Sequence, residues 1–245
     1  TGHTGFKGSW LSLILNYFGA TILGVSDTVP TNPSHFKIYK NLKKFKSKKV
    51  DISNKDKIKK IIFDYKPDFI FHLAAQALVK KSYLNPVKTW RSNTFGTLNI
   101  LDALRDYKKK VVVVLITSDK VYKNVEKKTG YKETDLLGGK DPYSASKTAA
   151  EIVIRSYMES FLLKKNNLST VIARAGNVVG GGDWSENRLI PDCVKAWSKN
   201  KKVIIRNPNS TRPWQHVLEA TMGYIILAAH LKLNKNLNGE AFNFG

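Results

Sequence analysis

The sequence is nearly devoid of cysteine, since Cys193 is the only one in 245 residues. A single cysteine excludes an internal disulfide and a multi-cysteine zinc site, and it favours a reducing, cytoplasmic setting. Long apolar runs are missing too: none approaches the roughly 20 residues that a membrane-spanning helix requires. Because the first residues lack the layout of a secretory signal and Thr1 is not an initiator methionine, we expect an internal fragment of a longer protein, with no metal and no membrane partner.

Acidic residues are scarce, with 19 Asp and Glu against 41 Lys and Arg and a formal net charge of +22. Such an excess raises the possibility of a nucleic-acid partner. Lysines supply most of the charge, however, and they spread over predicted solvent faces such as NLKKFKSKKV and KDKIKK without interleaved aromatic residues that could stack on bases. We therefore expect a solvated lysine surface and no nucleic acid, with a polyanion-binding patch as the alternative.

Helical and strand patterns alternate along the chain. Apolar residues at helical spacing in SWLSLILNYFG predict a helix that ends at Gly19, and ATILGVSD predicts a buried strand. Ser53 and Asp56 form a capping-box pattern for a second helix, which Pro67 stops. Further strands are predicted in DFIFHLAA, KVVVVLITSD and LSTVIARAG, and further helices in TWRSNTFGTLNILDALRDY and PYSASKTAAEIVIRSYMESFLLKK.

This alternation predicts the fold class. Strands that are apolar throughout belong to a parallel sheet covered on both faces, so we expect an α/β, doubly wound, Rossmann-type sheet. The glycine-rich turn that opens the chain normally follows a strand, which predicts that the first strand is lacking. We expect a cofactor-binding domain over residues 1–176. Residues 177–245 would form mainly a substrate-binding region, with elements that return to the sheet.

The opening segment TGHTGFKGSW indicates a dinucleotide site. Gly2, Gly5 and Gly8 would let backbone N–H groups approach a phosphate at the start of a helix. Asp27 ends the next predicted strand, where an acid can bind ribose hydroxyls, and its charge favours NAD over NADP. Three glycines alone are also compatible with a flexible loop, so the prediction depends on the helix and strand that follow.

The segment YSASK contains a second pattern. Tyr143 and Lys147 are four residues apart on a predicted helix and therefore share one face. A lysine ammonium can lower the pKa of a nearby phenol, so that the tyrosine acts as an acid or base near neutral pH, and it can also hold a cofactor ribose. On an arbitrary helix this pair would be surface decoration. After a strand that ends in TSD in a dinucleotide fold, it indicates catalysis.

These motifs resemble the extended short-chain dehydrogenase/reductases that act on nucleotide sugars. More narrowly, the chain resembles the 4,6-dehydratases of this family that act on CDP-glucose. The matching segments are GHTGFKGSWL, PTNPS, HLAAQALVKKSY, TSDKVY, GGKDPYSASK, GGGDW and RPWQHV. The resemblance covers essentially the whole chain and implies NAD as the cofactor. The candidate cofactor contacts are Gly2, His3, Gly5, Phe6, Lys7, Gly8, Asp27, Asp51, Ile52, Leu73, Ala74, Ala75, Tyr143 and Lys147.

The resemblance also implies a catalytic role for each matched residue. Ser118 would hydrogen-bond the C4 oxygen of the sugar, and Tyr143 would remove the C4 hydroxyl proton while NAD takes the hydride. Asp119 and Lys120 occupy the place of an Asp-Glu pair that eliminates water across C5 and C6 in related dehydratases. Hydride returns to C6, which yields a 4-keto-6-deoxy sugar nucleotide. A solvated surface lysine is the alternative interpretation of Lys120.

Substrate binding is expected in the segment that starts at Asn177. By the resemblance, Asn177 reaches the sugar diphosphate, Arg188 belongs to the nucleotide pocket, and Arg206 and Arg212 bind the anionic diphosphate. Guanidinium groups make paired hydrogen bonds to phosphate oxygens that ammonium groups cannot make, and arginine is scarce elsewhere in this chain. The clustering of arginines here therefore agrees with an anionic nucleotide-sugar substrate.

Several questions stay open at the sequence level. A nucleotide-sugar 4-epimerase would share the cofactor fold and the Tyr143–Lys147 pair, and a non-catalytic NAD-binding or nucleic-acid-binding protein would explain the glycine turn and the charge. Trp184 and Trp214 are compatible with pocket lining or with core packing, whereas His216 is expected to be a structural hydrogen-bonding residue. The two long helices resemble those of a dimer interface in relatives, so we expect a homo-oligomer, a dimer or tetramer, although their apolar faces also suit the core.

Overall fold

A computed structural model describes residues 1–39, 42–205 and 207–245. In it, helices and strands alternate as the sequence pattern predicts. The strands are β1 (Ile22–Ser26), β2 (Phe45–Lys49), β3 (Phe69–His72), β4 (Val111–Ser118), β5 (Leu168–Ala175), β6 (Asn177–Val179), β7 (Trp214–His216) and β8 (Ala241–Phe244). The helices are α1 (Phe6–Tyr17), α2 (His35–Tyr39), α3 (Lys55–Tyr65), α4 (Val79–Leu84), α5 (Pro86–Trp90), α6 (Gly96–Arg105), α7 (Pro142–Tyr157), α8 (Leu189–Trp197) and α9 (Val217–Leu233).

Four parallel strands in the order β3-β4-β5-β8 form the centre of the molecule. The strand β4 pairs with β5 along its whole length, from Val111 opposite Leu168 to Ser118 opposite Ala175. Every residue of β4 is buried, which explains why its first six residues, Val111–Ile116, form an apolar run rather than an alternating pattern. The carboxyl ends of these strands meet at one edge of the sheet, where the doubly wound fold collects its ligands.

Thr1 and Gly2 lie between this sheet and the parallel pair β1-β2. The backbone nitrogen of Gly2 donates to the carbonyl oxygen of Val25 in β1 at 2.8 Å. On the other side, the nitrogen of Thr1 donates to the carbonyl of Phe71 in β3 at 2.8 Å. The two residues therefore bridge β1 and β3 at the position where the predicted doubly wound order places a further strand.

The lysine-rich segment before Val50 is largely exposed, as expected, but it forms a strand that the sequence did not predict. Residues 45–49 form β2, which pairs in parallel with β1. The register runs from Ile22 opposite Phe45 to Ser26 opposite Lys49. The sequence does not predict this strand, because only Phe45 is partly buried and the other four residues are exposed, so the segment has no apolar pattern. Lysines on an edge strand hinder pairing with another chain.

The start of α3 also differs from the predicted one by a residue. Asn54, not Ser53, is the N-cap, and its side-chain oxygen accepts a hydrogen bond from the Lys57 backbone N–H at 3.0 Å. The backbone N–H of Ser53 is instead used by the Asp51 carboxylate at 2.8 Å. The helix ends with Lys66 in the left-handed conformation, immediately before Pro67 as expected.

The sheet is covered on both faces. On one face α3, α6 and α7 contribute Ile58, Leu104 and Ile154 to the larger core cluster. On the other face α9 contributes Tyr224 and Leu231 to a second cluster. Because α9 and β8 come from the C-terminal segment, that segment does return to the sheet; the division into two domains stays a prediction. Among the described residues, no helix combines the length and the apolarity needed to cross a membrane.

Candidate functional site

The glycine turn packs so tightly that side chains are sterically excluded from it. Gly2 has φ +75°, and a Cβ atom there would lie 2.6 Å from the backbone nitrogen of Ala74. A Cβ atom at Gly8 would lie 2.1 Å from the carbonyl oxygen of Gly2. The turn and the loop after β3, with Leu73, Ala74 and Ala75, therefore form one continuous backbone surface at the start of α1.

The first turn of α1 suits a phosphate group. Gly5 is its N-cap, and in the described part of the chain the helix has neither a side-chain cap nor an acidic residue in its first turn. The N–H groups at the start of a helix and the positive end of the helix dipole attract anions. Phe6 and Lys7 begin this helix, so their backbone N–H groups are the donors offered to a ligand.

The side chain of His3 has a structural position. Its ring is buried, and its two nitrogens are 2.7 Å from the hydroxyl of Ser47 and 3.0 Å from that of Ser26. Burial lowers the pKa of His3 to about 4. The ring is also in edge-to-face contact with Phe36. A cofactor contact at His3 would therefore come from its backbone.

Three further candidates lie along the edge formed by β1 and β2. Asp27 follows β1 directly, is exposed, and accepts a hydrogen bond from the Thr28 hydroxyl at 3.2 Å. Asp51 is exposed as well. The side chain of Ile52 is buried in the core, and its carbonyl oxygen accepts from Asn99 at 3.0 Å, so this residue offers a ligand little but backbone.

Ser118, Asp119, Lys120 and Asn177 form a hydrogen-bonded group where β4 ends. The hydroxyl of Ser118 donates to the Asp119 carboxylate at 2.9 Å and accepts from the backbone N–H of Lys120 at 3.2 Å, which caps a 3-10 turn over Asp119–Val121. The Lys120 ammonium donates to Asp119 and to Asn177, each at 3.3 Å. The three predicted elimination and oxidation residues and one predicted substrate residue are thus brought together.

Tyr143 and Lys147 lie in the first turns of α7, and both are buried. Asp141 caps this helix by accepting from the backbone N–H groups of Tyr143 and Ser144 at 3.0 and 3.1 Å. The ammonium of Lys147 points back to the sheet and donates to the carbonyl of Ile116 in β4 at 3.4 Å. The helix thereby places the pair beside Ser118, at the carboxyl end of the same strand.

Burial is the main influence on the pKa values of this pair. Burial raises the pKa of Tyr143, and the charges of Asp119 and Asp141 add to this rise, whereas the nearby Ser118 hydroxyl and the charge of Arg188 oppose it. The ammonium of Lys147 is directed toward the carbonyl of Ile116, so the expected lowering of the Tyr143 pKa by Lys147 stays a prediction. Burial also lowers the pKa of Lys147, to about 8.

Lys7 extends from α1 into the same space. Its ammonium donates to the hydroxyl of the buried Tyr224 at 3.4 Å. Burial lowers the pKa of Lys7 to about 7; the charge of Lys147 lowers it further, as does that of Arg188, whereas Asp119 opposes the fall. The glycine turn and the hydrogen-bonded group at the end of β4 are therefore parts of one site. The carboxylate of Asp119 is surrounded there by the cations Lys7, Lys120, Lys147 and Arg188.

The arginine candidates have different positions. Arg188 is held by Asp183 at 2.7 Å, and its charge acts on both Tyr143 and Lys7, so it faces the catalytic group. Arg212 is exposed and donates to the carbonyl of Thr211. Arg206 lies outside the described residues.

The remaining aromatic candidates are now placed. Trp184 and Trp214 are 39% and 41% exposed, so neither is a core residue. His216 caps α9: its ring accepts from the Leu218 backbone N–H at 3.3 Å, and Glu219 accepts from the His216 N–H at 3.1 Å. The structural role expected for His216 is confirmed.

Sequence reasoning did not find Asn93, which joins the cofactor loop to α7. Its side chain accepts from the backbone N–H of Gln76 at 2.7 Å and donates to the hydroxyl of Ser146 at 2.9 Å. Asn93 lies in a π-helical turn over Arg91–Phe95, between α5 and α6. A π-helical turn often occurs at functional sites, but no residue pattern announces it.

Comparison with known proteins connects this site to enzymes of sugar nucleotides. A family model described as GDP-mannose 4,6 dehydratase matches residues 1–241. The CDP-glucose 4,6-dehydratase of Salmonella typhimurium is 45% identical over the whole chain, which covers 69% of that protein. The CDP-paratose 2-epimerase of Salmonella typhi is 28% identical over the whole chain, which covers 77% of it.

Solved structures share the architecture. A double mutant of the dTDP-glucose 4,6-dehydratase DesIV from Streptomyces venezuelae, with NAD and DAU bound, superposes with a TM-score of 0.84 at 21% identity, over the whole chain and 75% of that protein. A UDP-glucose 4-epimerase from Thermotoga maritima, with UDP-glucose, gives 0.85 at 21% identity, over the whole chain and 75% of that protein. The doubly wound α/β fold predicted from the sequence is confirmed.

Proposed function

Because this chain belongs to the GDP-mannose 4,6 dehydratase family, we propose that it dehydrates a nucleotide-linked glucose, CDP-glucose above others, with NAD. The product is the 4-keto-6-deoxy sugar nucleotide. One observation carries the proposal: Ser118 is hydrogen-bonded to Asp119, and Asp119 to the Lys120 ammonium, beside the Tyr143–Lys147 pair, so groups for oxidation and for elimination share one site. The relative from Salmonella typhimurium supports CDP-glucose as the substrate.

The residues at the start of α1 fit the pyrophosphate of NAD. A Cβ atom would fill the cradle at Gly2 and Gly8, and the first turn of the helix offers uncapped N–H groups. Asp27, at the end of β1, would bind the adenosine ribose and repel a 2′-phosphate. When bound, NAD supplies a hydride acceptor for C4 and a hydride donor for C6.

Oxidation at C4 requires a group that removes the hydroxyl proton. We assign this step to Tyr143, and Ser118 would hydrogen-bond the same C4 oxygen. Burial of Tyr143 and the charge of Asp119 favour the neutral phenol, whereas the nearby Ser118 hydroxyl and the charge of Arg188 favour the phenolate. Lys147, one helical turn after Tyr143, would hold the nicotinamide ribose.

Elimination requires removal of the C5 proton and protonation of the departing C6 hydroxyl. The 4-ketone acidifies the C5 proton. The Asp119 carboxylate and the Lys120 ammonium are 3.3 Å apart, so one of them can accept the C5 proton while the other donates a proton to the C6 oxygen. The ammonium of Lys120 contacts both Asp119 and Asn177, although its side chain keeps an exposure of 35%. This position favours catalysis over the alternative of a solvated lysine.

The cations around the site suit an anionic substrate. Arg188 is oriented by Asp183 and can make paired hydrogen bonds to phosphate oxygens. We assign Asn177 to the sugar diphosphate and Arg188 to the nucleotide pocket. The corresponding roles of Arg206 and Arg212 stay predictions.

We further propose that the protein is a cytoplasmic homo-oligomer. Ile152 on α7, one of the two predicted interface helices, is 59% exposed, and Val87 on α5, just before the other predicted helix, is 79% exposed. Phe95, between α5 and α6, is exposed as well. A second copy of the chain would cover them, because association removes exposed apolar surface from water.

The test is an assay of the protein with NAD against the glucose derivatives of CDP, dTDP, GDP and UDP, with mass spectrometry of the products. We expect the loss of one water, fastest with CDP-glucose, and no product with Tyr143→Phe. An epimerase would return a product of unchanged mass. That result would replace the dehydratase proposal by the epimerase alternative, which the 28% identity to CDP-paratose 2-epimerase keeps in view.

A further inference from the structure

A buried ion pair lies behind the catalytic residues, and the reaction described above does not use it. The side chains of Glu151 on α7 and Arg174 on β5 are both fully buried. The guanidinium Nη2 of Arg174 is 2.6 Å from Oε2 of Glu151, and Nε donates to both carboxylate oxygens at 2.9 and 3.1 Å. Because apolar residues of similar volume often stabilise a protein as well as a buried ion pair does, stability alone explains this pair poorly.

The carboxylate of Glu151 joins α7 to the catalytic end of β4. Its Oε1 accepts from the hydroxyl of Thr117 at 2.6 Å, and Thr117 is the residue before Ser118. On the helix, Glu151 follows Lys147 by one turn and therefore shares its face. One carboxylate thus holds the strand that ends at Ser118 against the helix that carries Lys147.

The guanidinium of Arg174 joins the same pair to the elimination residues. Its Nη1 donates to the hydroxyl of Tyr122 at 2.7 Å, and Tyr122 directly follows the turn Asp119–Val121. The same nitrogen donates to the carbonyl of Glu133 at 2.9 Å. The hydroxyl of Tyr122 donates in turn to Asn243 in β8 at 2.6 Å. Every element that carries a proposed catalytic group therefore contributes to one buried network.

The charge of Glu151 also reaches Lys147. The titratable groups that face Lys147 are Lys7 from α1, His72 from β3, Tyr143 one turn earlier and Glu151 one turn later. Burial lowers the pKa of Lys147 to about 8, and Glu151 opposes this fall. Among these groups, Glu151 alone carries a negative charge at neutral pH.

We propose that Glu151 and Arg174 are positioning residues of the active site. They hold Ser118, the Tyr143–Lys147 pair and the Asp119–Lys120 turn in one arrangement, and Glu151 supplies the negative charge beside the Lys147 ammonium. The assignment rests on the proposed function, because it refers to that reaction. It requires that the charge of Glu151 stabilises the Lys147 ammonium, in addition to any contribution to folding.

The variant Glu151→Gln tests this requirement, because it keeps the shape of the side chain and removes the charge. The first measurement needs no turnover: NMR titration of protein labelled with ¹³C-lysine, with the Lys147 signal assigned by Lys147→Arg. We expect its midpoint to move to lower pH in Glu151→Gln, since the group that raises the pKa is gone. In assays, kcat should fall by roughly ten- to hundredfold with little change in KM, because small misplacements of catalytic groups are that costly. The pH above which kcat declines should move down as well.

The matched control is Lys60→Gln, which breaks an exposed pair of Lys60 and Asp64 at 3.3 Å, and it should leave both measurements unchanged. A folded Glu151→Gln protein with an unchanged Lys147 midpoint overturns the proposal, whether its activity is normal or reduced only in proportion to its folded fraction. If the wild type itself turns over no nucleotide sugar, the proposed function fails. The NMR midpoint then decides the electrostatic part by itself.

A second variant decides the case in which Glu151→Gln does not fold. Thr117→Val has nearly the same shape, keeps the charge of Glu151 and removes one hydrogen bond between β4 and α7. We expect a several-fold lower kcat with an unchanged Lys147 midpoint, since a lost buried hydrogen bond costs about 1 kcal/mol. A wild-type kcat in this variant overturns the positioning role.

Discussion

Around the glycine turn the surface offered to a ligand is backbone, whereas at the end of β4 it consists of charged side chains. At the turn, the ring of His3 is held by Ser26 and Ser47, and the side chain of Ile52 belongs to the core. At the strand end, Asp119 and Lys120 face each other at 3.3 Å. Under the proposed function, the backbone of the turn binds NAD and the side chains at the strand end transfer protons. Substitutions at the turn should therefore weaken NAD binding, whereas substitutions at the strand end should slow the reaction.

The largest effect is expected from Tyr143→Phe. Without the phenol, the C4 hydroxyl proton has no acceptor, so every later step is lost and activity should fall by about ten-thousandfold or more, at the upper end for a general base. Single-turnover absorbance of the reduced nicotinamide measures the first step directly. Tyr83→Phe, at an exposed tyrosine of α4, is the control. Undiminished cofactor reduction in Tyr143→Phe would assign the base to another residue.

Asp119→Asn and Lys120→Met should separate the two halves of the reaction. Elimination should slow by about a hundredfold to ten-thousandfold, the usual contribution of one proton-transfer group, while the first hydride transfer stays partly intact. Reduced cofactor should then accumulate on the enzyme in a single turnover with CDP-glucose. Wild-type turnover in both variants would refute the elimination assignment and favour the epimerase alternative.

Gly8→Ala tests the backbone surface. The added Cβ atom would lie 2.1 Å from the carbonyl oxygen of Gly2, so the turn must shift. Overpacking of this kind costs about 1–3 kcal/mol, and we expect NAD affinity to fall by roughly ten- to a hundredfold. Gly130→Ala is the control, because an added Cβ atom there meets nothing within 4 Å. Isothermal titration with NAD measures both; equal affinities would mean that the turn does not hold the pyrophosphate.

The smallest effect is expected from Asp27→Ala. Loss of the carboxylate removes both a ribose hydrogen bond and the repulsion of a 2′-phosphate, so the preference for NAD over NADP should narrow by roughly tenfold, the equivalent of about one hydrogen bond. Binding of the two cofactors to the variant, to the wild type and to Asp64→Ala on the exposed side of α3 gives the comparison. An unchanged preference would place the ribose contact elsewhere.

Local patterns predicted a large part of the fold. The apolar run of β4 and the helical spacing of α1 predicted both elements, since each pattern is set by neighbours in the chain. The strand β2 and the N-cap at Asn54 were not predicted correctly. Strand pairing at an exposed edge depends on β1, which is distant in sequence, and the choice between Ser53 and Asn54 as the cap depends on the use of the Ser53 N–H by Asp51.

By itself, the sequence determined which chemistry is available: a glycine turn, a Tyr143–Lys147 pair at helical spacing, and Asp119 and Lys120 at a strand end. These features are local, because they depend on residues within one turn or one loop. The tertiary structure alone decided that Lys147 points to Ile116, that Lys7 reaches Tyr224, and that Glu151 is buried against Arg174. The direction and burial of a side chain depend on elements that are remote in sequence, and burial sets the energy of a charge, so the electrostatics of the site emerge only when β4, β5, α1, α7 and α9 pack together.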